Sequence, residues 1–384
     1  MSETRTILER GVAGFEPVPD AIDRTLRRVR RRRSKRRAGA ATAALVVTAA
    51  LVTGLWSAFR PASRPIPPVR PPEVGRIGGQ RPLAVGFGFV WAISCVERCG
   101  NDERNASGRL LRIDPSTARV TAAVPVGQAQ AVAAGEGGVW VIDFWHGTVT
   151  RVDPATSRVV ATIPLRLPFP VCRCPGAHDF VPFDLTTGAG AVWVVTDRGA
   201  VARIDPETNR VAAYIRIPGE NGGGISVAGN RVWVATDLVH GVWAIDPATN
   251  DVVLKAHFVH GSHRVEAESL VASDGAPWAG GANVRRTGDP ASPWALAPGG
   301  AVARIDPATG HLTATFDFDH PAFLAAAADH AVWVAAGTDR FYRIDTRTDD
   351  VSGPFSFGGM LWAVTDGAGW VVTADGGIER VPLP

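Results

Sequence analysis

Three motifs that would identify an enzyme class from sequence are missing from this chain. It has no glycine-rich phosphate loop, no Gly-x-Ser-x-Gly nucleophile elbow and no His-Glu-x-x-His pair. Their absence excludes a P-loop nucleotide hydrolase, an elbow-type serine hydrolase and a zinc protease of the HExxH kind. Cysteine is scarce, with four in 384 residues. Lysine is scarcer, because Lys35 and Lys255 are the only lysines among 40 basic residues.

Glycine, proline and tryptophan are abundant instead. The chain holds 42 Gly, 29 Pro and 12 Trp, a composition typical of many short strands joined by tight turns. Its length allows one large domain with additional segments. The arginine bias, together with the alanine, glycine and valine content, suggests a GC-rich bacterial genome of the actinobacterial kind.

The basic residues are concentrated at the N-terminus. Residues 1–37 carry 12 basic and 5 acidic side chains, a balance of +7, so the rest of the chain carries −4 within the total of +3. Residues 38–59 contain no charged residue and at ~1.5 Å rise per residue would cross a hydrocarbon core of ~30 Å. We therefore predict a basic cytoplasmic tail (1–37), one transmembrane helix (38–59) and a Pro-rich linker (60–72). The positive-inside rule places the C-terminal domain outside the cell membrane.

Alternatives for this N-terminal region stay open. The apolar stretch resembles a signal peptide less than an uncleaved anchor, because both its apolar and its basic parts are long. The arginine run suits anionic headgroups better than nucleic acid, since it adjoins the apolar stretch. The tail is similar to the cytoplasmic leads of actinobacterial single-span proteins, some linked to sigma-factor regulation, which implies a transcription regulator as its partner.

A repeat of about 40 residues runs through the remaining chain. Each copy contains an Asp-Pro-x-Thr or related turn, whose aspartate recurs at Asp114, Asp153, Asp205, Asp246, Asp306 and Asp345. A tryptophan on the preceding strand recurs at Trp91, Trp140, Trp193, Trp233, Trp278, Trp333 and Trp370. Seven copies at this period predict an all-β, seven-bladed β-propeller with four strands per blade.

The second copy shows the four strands of a blade most clearly. We predict strands at 129–133, 138–143, 147–152 and 158–164. The Asp-Pro turn joins the last two, because proline presets φ at the second turn position and aspartate accepts backbone N–H groups. The tryptophan is predicted to pack between blades.

The seventh copy supplies three strands before the chain ends. The segment 73–79, "EVGRIGG", resembles a fourth strand and is predicted to complete blade 7, which would close the ring and remove its open sheet edges. The propeller would then span residues 73–384.

The repeated "VWV…V.RIDP.T..V" pattern resembles bacterial seven-bladed propellers of the YVTN-repeat and streptogramin-lyase-like (virginiamycin B lyase-like) type. Many members of that type bind ligands or act as scaffolds, and its lyase members open a macrocyclic ester linkage with a metal ion. The resemblance implies a propeller fold over 73–384. The repeat lies in the scaffold, so it implies no particular activity, and no catalytic residue is carried over.

Four insertions are predicted on one face of the ring, at 95–108, 166–180, 258–265 and 281–299. Two of them hold all the cysteines, namely Cys95, Cys99, Cys172 and Cys174. An extracytoplasmic position and an even count favour disulfides over a zinc site. Cross-linked loops are expected, because a Cys-x-Cys bridge is strained, and a local Cys95–Cys99 bond remains an alternative.

Two groups of side chains on that face are candidate sites. The candidate ligand-binding residues are Asp143, Trp145, His146, Asp197, Asp237, His240, Trp294, His320 and Asp339. Their aspartates end the second strands and are either loop-stabilising residues or a ring that attracts a divalent cation, Mg²⁺ or Ca²⁺, or a cationic ligand. The candidate catalytic residues are His260, His263, Glu266 and Glu268, since His and Glu together bind metals or move protons.

The sequence therefore predicts a membrane-anchored binding or scaffold propeller at the cell envelope. Its partner would be an envelope ligand or protein on the insertion-bearing face, and nucleic acid is not expected. The alternatives are a divalent-metal-dependent lyase or hydrolase, and a signalling protein that acts through its tail. The sequence itself predicts neither an oligomeric state nor the identity of the metal.

Overall fold

A computed structural model describes residues 76–77, 81–97, 107–166, 181–197, 199–218, 222–236, 241–260, 263–286, 294–328 and 330–384. The chain divides into two units, Met1–Pro65 and Ile66–Pro384, and every described residue belongs to the second. The predicted tail, transmembrane helix and linker lie outside the described residues. None of the residues that are described forms a helix long and apolar enough to cross a bilayer.

The described part of the chain forms seven antiparallel sheets, each of which is one blade. Blade 1 contains β1 (Arg76–Ile77), β2 (Leu83–Gly86), β3 (Phe89–Glu97), β4 (Ser107–Asp114) and β5 (Arg119–Gly127). Blade 2 contains β6 (Ala129–Gly135), β7 (Gly138–Asp143), β8 (Thr148–Asp153) and β9 (Arg158–Pro164). Blade 3 contains β10 (Pro182–Gly188), β11 (Ala191–Thr196), β12 (Ala200–Asp205) and β13 (Arg210–Arg216).

The remaining four blades follow in chain order. Blade 4 contains β14 (Gly222–Ala228), β15 (Arg231–Thr236), β16 (Gly241–Ile245) and β17 (Val252–His257). Blade 5 contains β18 (Val259–His260), β19 (His263–Ser273), β20 (Ala276–Arg286), β21 (Trp294–Ile305) and β22 (Leu312–Phe318). Blade 6 contains β23 (Ala322–Ala328), β24 (Ala331–Ala336), β25 (Phe341–Asp345) and β26 (Val351–Phe355), and blade 7 contains β27 (Gly359–Thr365), β28 (Ala368–Thr373) and β29 (Ile378–Pro382).

The predicted all-β, seven-bladed propeller is therefore confirmed. In blade 2 the observed strands agree with the predicted ones to within two residues at each end. All seven repeat tryptophans are buried, at 2% exposure or less. In several blades the indole N–H donates to the residue five positions earlier and so stabilises the turn between the first two strands. In blade 3, for example, Trp193 Nε1 donates to the Gly188 carbonyl at 3.0 Å.

The repeated aspartate stabilises the turn between the third and fourth strands. Asp153 Oδ1 accepts the backbone N–H of Ala155 at 3.0 Å and of Thr156 at 2.7 Å. These hydrogen bonds hold the pKa of Asp153 below its usual range, with the Thr156 bonds contributing most. Aspartates that accept backbone N–H groups in this way form Asx turns, so the structure assigns the motif to turn formation.

In four blades an arginine two residues before the turn aspartate joins the blade to the next one. Arg203 Nη1 donates to the Pro247 carbonyl at 2.8 Å and to Asn250 Oδ1 at 3.0 Å, across the boundary between blades 3 and 4. Its guanidinium also lies 5.3 Å from the centre of the Trp193 ring. Arginines of blades 1, 2 and 5 make the equivalent bond to the next blade; these are Arg112, Arg151 and Arg304.

Blade 4 has Ala244 at this position, and the contact is made from the neighbouring strand instead. Arg231, at the start of β15, donates from Nη1 to the Pro307 carbonyl of blade 5 at 2.9 Å. The contact between neighbouring blades is therefore retained although the residue that provides it has moved.

Of the segment 73–79 the structure describes Arg76 and Ile77, so closure of the ring by this segment stays a prediction. Arg76 and Ile77 pair with Cys95 and Ser94 of β3, on the inner edge of blade 1, while blade 7 has three strands among the described residues. The segment also contacts blade 7. Ile77 is 5% exposed in a core cluster that holds Trp370 of blade 7, and its N–H donates to the Gly376 carbonyl at 2.8 Å.

Candidate functional site

The innermost strands of the seven blades surround a central cavity of about 600 Å³. Every blade contributes to its wall, through residues of β2, β6, β10, β14, β19, β23 and β27. Each inner strand runs from the face carrying the loops between second and third strands, here called the loop-rich face, to the face carrying the Asp-Pro turns. The cavity thus lies on the axis on which ligands of ring-shaped folds commonly bind.

A β-bulge interrupts the inner strand in each of blades 2 to 7. In β10 the register shifts between Pro182 and Asp184, and in β19 it shifts between Ala267 and Ser269. The other four shifts lie in β6, β14, β23 and β27. A bulge leaves a residue outside the hydrogen-bonded ladder and re-aims its side chain, as often happens beside functional sites.

Side chains placed by these bulges and their neighbours form what we call the channel chamber, made of Phe183, Glu268, Phe323, Met360 and Trp362. All five line the central cavity. Phe323 and Met360 are 36% and 42% exposed although both are apolar. Solvent-accessible apolar side chains inside a cavity are a feature of ligand sites.

The strand register places most of this chamber at one height. Phe323 pairs with Ala335 and Met360 pairs with Val372, each two ladder positions from the tryptophan of its own blade. Phe183 and Glu268 are bulge residues beside Asp184 and Ser269, which are also two positions from their tryptophans. Four blades thus direct residues to the same level of the channel, on the side of the loop-rich face.

Arg81 crosses the channel just below that level. Its Nη1 donates to the Leu185 carbonyl of blade 3 at 3.4 Å, and its Nη2 donates to the Leu270 carbonyl of blade 5 at 3.3 Å. Leu185 and Leu270 are one ladder position from their tryptophans. Since an extended strand rises ~3.4 Å per residue, the guanidinium lies about one step below Phe323 and Met360, and the cavity continues beyond it towards Thr187 and Ala327.

Asp184 forms an ion pair with Arg81 at this level. Its Oδ2 lies 3.1 Å from Arg81 Nη2, and its side chain is 9% exposed. Burial raises the pKa of Asp184, although Arg81 and two backbone N–H groups act in the opposite direction. Oδ1 accepts the N–H of Leu185 at 2.8 Å and Oδ2 that of Ile225 at 3.3 Å. The pair therefore joins blades 1, 3 and 4.

The predicted aspartates of the loop-rich face make hydrogen bonds that shape their own loops. Asp143 Oδ1 accepts the N–H of His146 at 3.1 Å, and Asp197 Oδ1 accepts the N–H of Val181 at 2.9 Å. Asp339 accepts from the Ser356 hydroxyl and from two backbone N–H groups, and the Ser356 bond contributes most to holding its pKa below the usual range. A ligand-binding role for this ring stays a prediction.

The other predicted binding residues are divided between described and undescribed parts of the chain. His146 Nδ1 lies 2.9 Å from Asp143 Oδ2, and Trp145 packs edge-on against Phe144 at 5.3 Å between ring centres. His320 is exposed beside Gly337. Asp237 and His240 lie outside the described residues, and only the backbone of Trp294 is described, where it pairs with Arg286.

The predicted catalytic residues occupy one hairpin of blade 5. His260 and His263 are backbone partners at its turn, and their side chains are not described. Glu268 lines the central cavity, whereas Glu266 does not. Burial raises the pKa of Glu266. The structure therefore places one of the four predicted residues, Glu268, in the cavity.

Cys95 is disulfide-bonded. Its three candidate partners, Cys99, Cys172 and Cys174, all lie outside the described residues, so the connectivity stays open. Within the described ranges, no group of three or more His, Cys, Asp or Glu side chains is arranged to hold a metal ion. The Mg²⁺ or Ca²⁺ site expected from the sequence stays a prediction.

Sequence reasoning missed most of the chamber. No repeat motif marks Arg81, Asp184, Phe183 or Trp362. In the sequence, Phe323 and Met360 do not differ from other strand residues. A partial signal existed for Asp184 alone, since an aspartate inside an apolar inner strand needs a buried partner.

Comparisons with known proteins agree with this architecture. No protein-family model and no curated protein matches the chain. Among solved structures, Kuenenia stuttgartiensis hydrazine synthase is similar at a TM-score of 0.57 and 13% identity, over 82% of this chain and 98% of that one. The WD40 β-propeller domain of Doa1 is similar at a TM-score of 0.56 and 11% identity, over 82% of this chain and 95% of that one.

A Toxoplasma gondii coronin WD40 domain is also similar, at a TM-score of 0.55 and 11% identity, over 81% of this chain and 84% of that one. At these identities the likeness concerns the fold and carries no activity from one protein to another. The sheets and these structural neighbours together establish a seven-bladed β-propeller, and the part of the chain that the structure describes is all-β.

Proposed function

We propose that this protein is a binding module whose ligand enters the central channel from the loop-rich face. The observation that carries the proposal is the channel chamber, where residues from four different blades meet at one level and apolar side chains are exposed to the cavity. A purely structural channel would gain stability by filling this space with packed side chains.

We further propose that the module works at the cell envelope. The uncharged stretch 38–59, preceded by the arginine run, supports a single membrane span with the propeller outside the cell. The bond at Cys95 supports an oxidising compartment. Fractionation of cells that express the full chain tests this, because the protein is expected in the membrane fraction after carbonate washing, with the propeller open to external protease. Release by carbonate, or protection of the propeller, contradicts the anchor.

A channel-filling substitution tests the binding role. Met360→Trp places an indole in the chamber, and Val160→Trp, at a 53% exposed position on the outer strand of blade 2, is the matched control. The full chain would be incubated with a cell-envelope extract, and retained small molecules would be identified by mass spectrometry. We expect the same molecules with wild type and Val160→Trp and a loss with Met360→Trp. Equal retention by all three proteins refutes binding in the channel.

A metal-dependent lyase or hydrolase of the streptogramin-lyase type is the second candidate. It is supported by Glu266, a partly buried carboxyl with a raised pKa, on the strand that also carries Glu268, because perturbed acids are frequent at catalytic sites. The test is turnover of a macrocyclic ester with and without Mg²⁺. Turnover that Glu268→Gln removes favours the enzyme, and no turnover with any divalent ion counts against it.

A further inference from the structure

The channel has a second, uncharged level below the chamber. Each of the seven inner strands has one residue opposite the repeat tryptophan of its blade, and we call this ring of residues the tryptophan level. It consists of four alanines, one valine, Thr186 and Ser226, all of which line the central cavity. The charged residues that line the cavity lie nearer the loop-rich face; these are Arg81, Asp184 and Glu268.

The two hydroxyls of the tryptophan level come from neighbouring blades, 3 and 4. Ser226 is 7% exposed, and neither its hydroxyl nor that of Thr186 forms a hydrogen bond to any residue that the structure describes. Other hydroxyls of the channel are used within the fold, since Thr187 donates to the Ala134 carbonyl at 3.3 Å and Ser269 donates to a backbone carbonyl at 3.1 Å. Buried hydroxyls in proteins are normally hydrogen-bonded, so Thr186 and Ser226 offer two bonds to a ligand.

The apolar chamber lies within reach of these hydroxyls. Phe323 and Met360 are two ladder positions from the tryptophans of their blades, which places them ~7 Å from the tryptophan level along an extended strand. Arg81 lies between the two levels, where it contacts Asp184 and two backbone carbonyls, and the cavity continues past it. A molecule that spans both levels therefore needs an apolar body and a hydrogen-bonding group at its far end.

We infer that the channel binds an uncharged molecule that has an apolar, ring-containing body and one hydroxyl or carbonyl group. The body contacts Phe323, Met360 and Trp362 in the chamber, and the polar group hydrogen-bonds to Thr186 and Ser226. A charged group at the tryptophan level would lose its hydration without gaining an opposite charge from the described residues. The inference rests on the proposed binding function and specifies its ligand class.

Four probes that share one ring separate hydrogen bonding from charge. They are 4-methylbenzyl alcohol, 4-ethyltoluene, 4-methylbenzylammonium and 4-methylbenzoate. In 4-ethyltoluene a methyl group replaces the hydroxyl of the alcohol, so its shape is kept. Binding to the full chain in dodecyl maltoside would be measured by isothermal titration, with detergent alone as the blank. We expect the alcohol to bind roughly fivefold more tightly than either ion, or better, because each ion loses more hydration.

Variants that remove one hydroxyl test the named side chains. Thr186→Val keeps the shape of the side chain, and Ser226→Ala removes a single atom. Each is expected to weaken binding of the alcohol about fivefold, the effect of one hydrogen bond, and to leave 4-ethyltoluene unchanged. The matched control is Thr162→Val, at an exposed position on β9, which should change neither probe. Circular dichroism and the thermal midpoint verify the fold of each variant.

The outcomes distinguish this inference from the proposal on which it rests. If Thr186→Val and Ser226→Ala affect the alcohol and 4-ethyltoluene equally, while Met360→Trp abolishes binding of both, the channel binds ligands but the hydroxyls do not select them. Tighter binding of either ion than of the alcohol, lost in Met360→Trp, likewise leaves a binding channel and overturns the uncharged class. Binding of no probe at millimolar concentration, with Met360→Trp also unchanged in envelope extracts, overturns both.

Discussion

Removing one inter-blade arginine should measurably weaken the ring. In Arg203→Met the aliphatic stem remains, but the bonds to the Pro247 carbonyl and Asn250 Oδ1, at 2.8 and 3.0 Å, are lost together with the contact to the Trp193 ring. Each hydrogen bond of a half-exposed charged group contributes roughly 0.5–1 kcal/mol, and the ring contact roughly 0.5–1 kcal/mol. We expect the free energy of unfolding to fall by about 2 kcal/mol.

Urea unfolding followed by tryptophan fluorescence measures this loss. Arg210→Met is the matched control, because Arg210 is exposed on the next strand and its side chain makes no hydrogen bond or ion pair to the described residues. Its effect should stay within roughly 0.5 kcal/mol. Asn250→Gly completes a double-mutant cycle, since glycine keeps the positive φ of 64° at that turn. An Arg203→Met protein no less stable than Arg210→Met refutes the account of the blade contacts.

Three further predictions concern single groups. Trp193→Phe should be less stable than Trp278→Phe by roughly 1 kcal/mol in urea unfolding, because the Trp193 indole donates to the Gly188 carbonyl, whereas the Trp278 indole N–H has no acceptor among the residues that the structure describes. Equal losses of stability contradict this. The turn aspartates, such as Asp153 and Asp205, have lowered pKa values, so their contribution to the free energy of unfolding is present above about pH 4 and is lost as the pH falls further. An Asp205→Asn protein should therefore lose less stability than wild type on acidification. If both proteins lose stability equally with falling pH, this prediction is refuted. Burial raises the pKa of Glu266, so the folded protein holds the proton more tightly than the unfolded chain, and stability falls as the pH rises above about 4. Glu266→Gln should therefore raise the urea midpoint at pH 7 but not at pH 4. A lower midpoint at pH 7 contradicts the burial of this carboxyl.

The sequence was sufficient for the blade count because the blade-forming chemistry is local and repeated. A buried tryptophan with its neighbouring valines and an Asp-Pro turn recur with each blade, so strand positions follow from a single copy. The arginine that joins blades was present in the same motif. Its role was not predictable, because its acceptors lie in the next blade, about 45 residues away for Arg203 and Pro247.

The strand that Arg76 and Ile77 pair with was not predictable from the sequence, and the reason is physical. A short alternating segment such as 73–79 fits an outer strand and an inner one equally well. What decides between them is where Ile77 is buried, and it lies in the core cluster that Trp370 shares with Leu83. Strand alternation alone contains no information about that choice.

The candidate site was predictable in position but not in composition. Insertions pointed to the loop-rich face, and Glu268 was identified because it follows a histidine-rich hairpin. The other chamber residues depend on bulges that shift the register by one residue, and no motif marks these bulges. Arg81 and Asp184 are 103 residues apart in the sequence and form a pair only because the ring brings blades 1 and 3 together across the channel.

The most direct test of the central claim is the rate at which a thiol in the channel chamber reacts with charged reagents. In a full-chain Met360→Cys protein, peptide mass spectrometry would follow labelling by methanethiosulfonates that carry either a trimethylammonium or a sulfonate group, with Val160→Cys as the surface reference. The account predicts that both reagents label the chamber thiol, because Met360 lines the central cavity and is 42% exposed. A chamber thiol that neither reagent labels, while the Val160→Cys reference reacts with both, would contradict a channel that is open to a ligand.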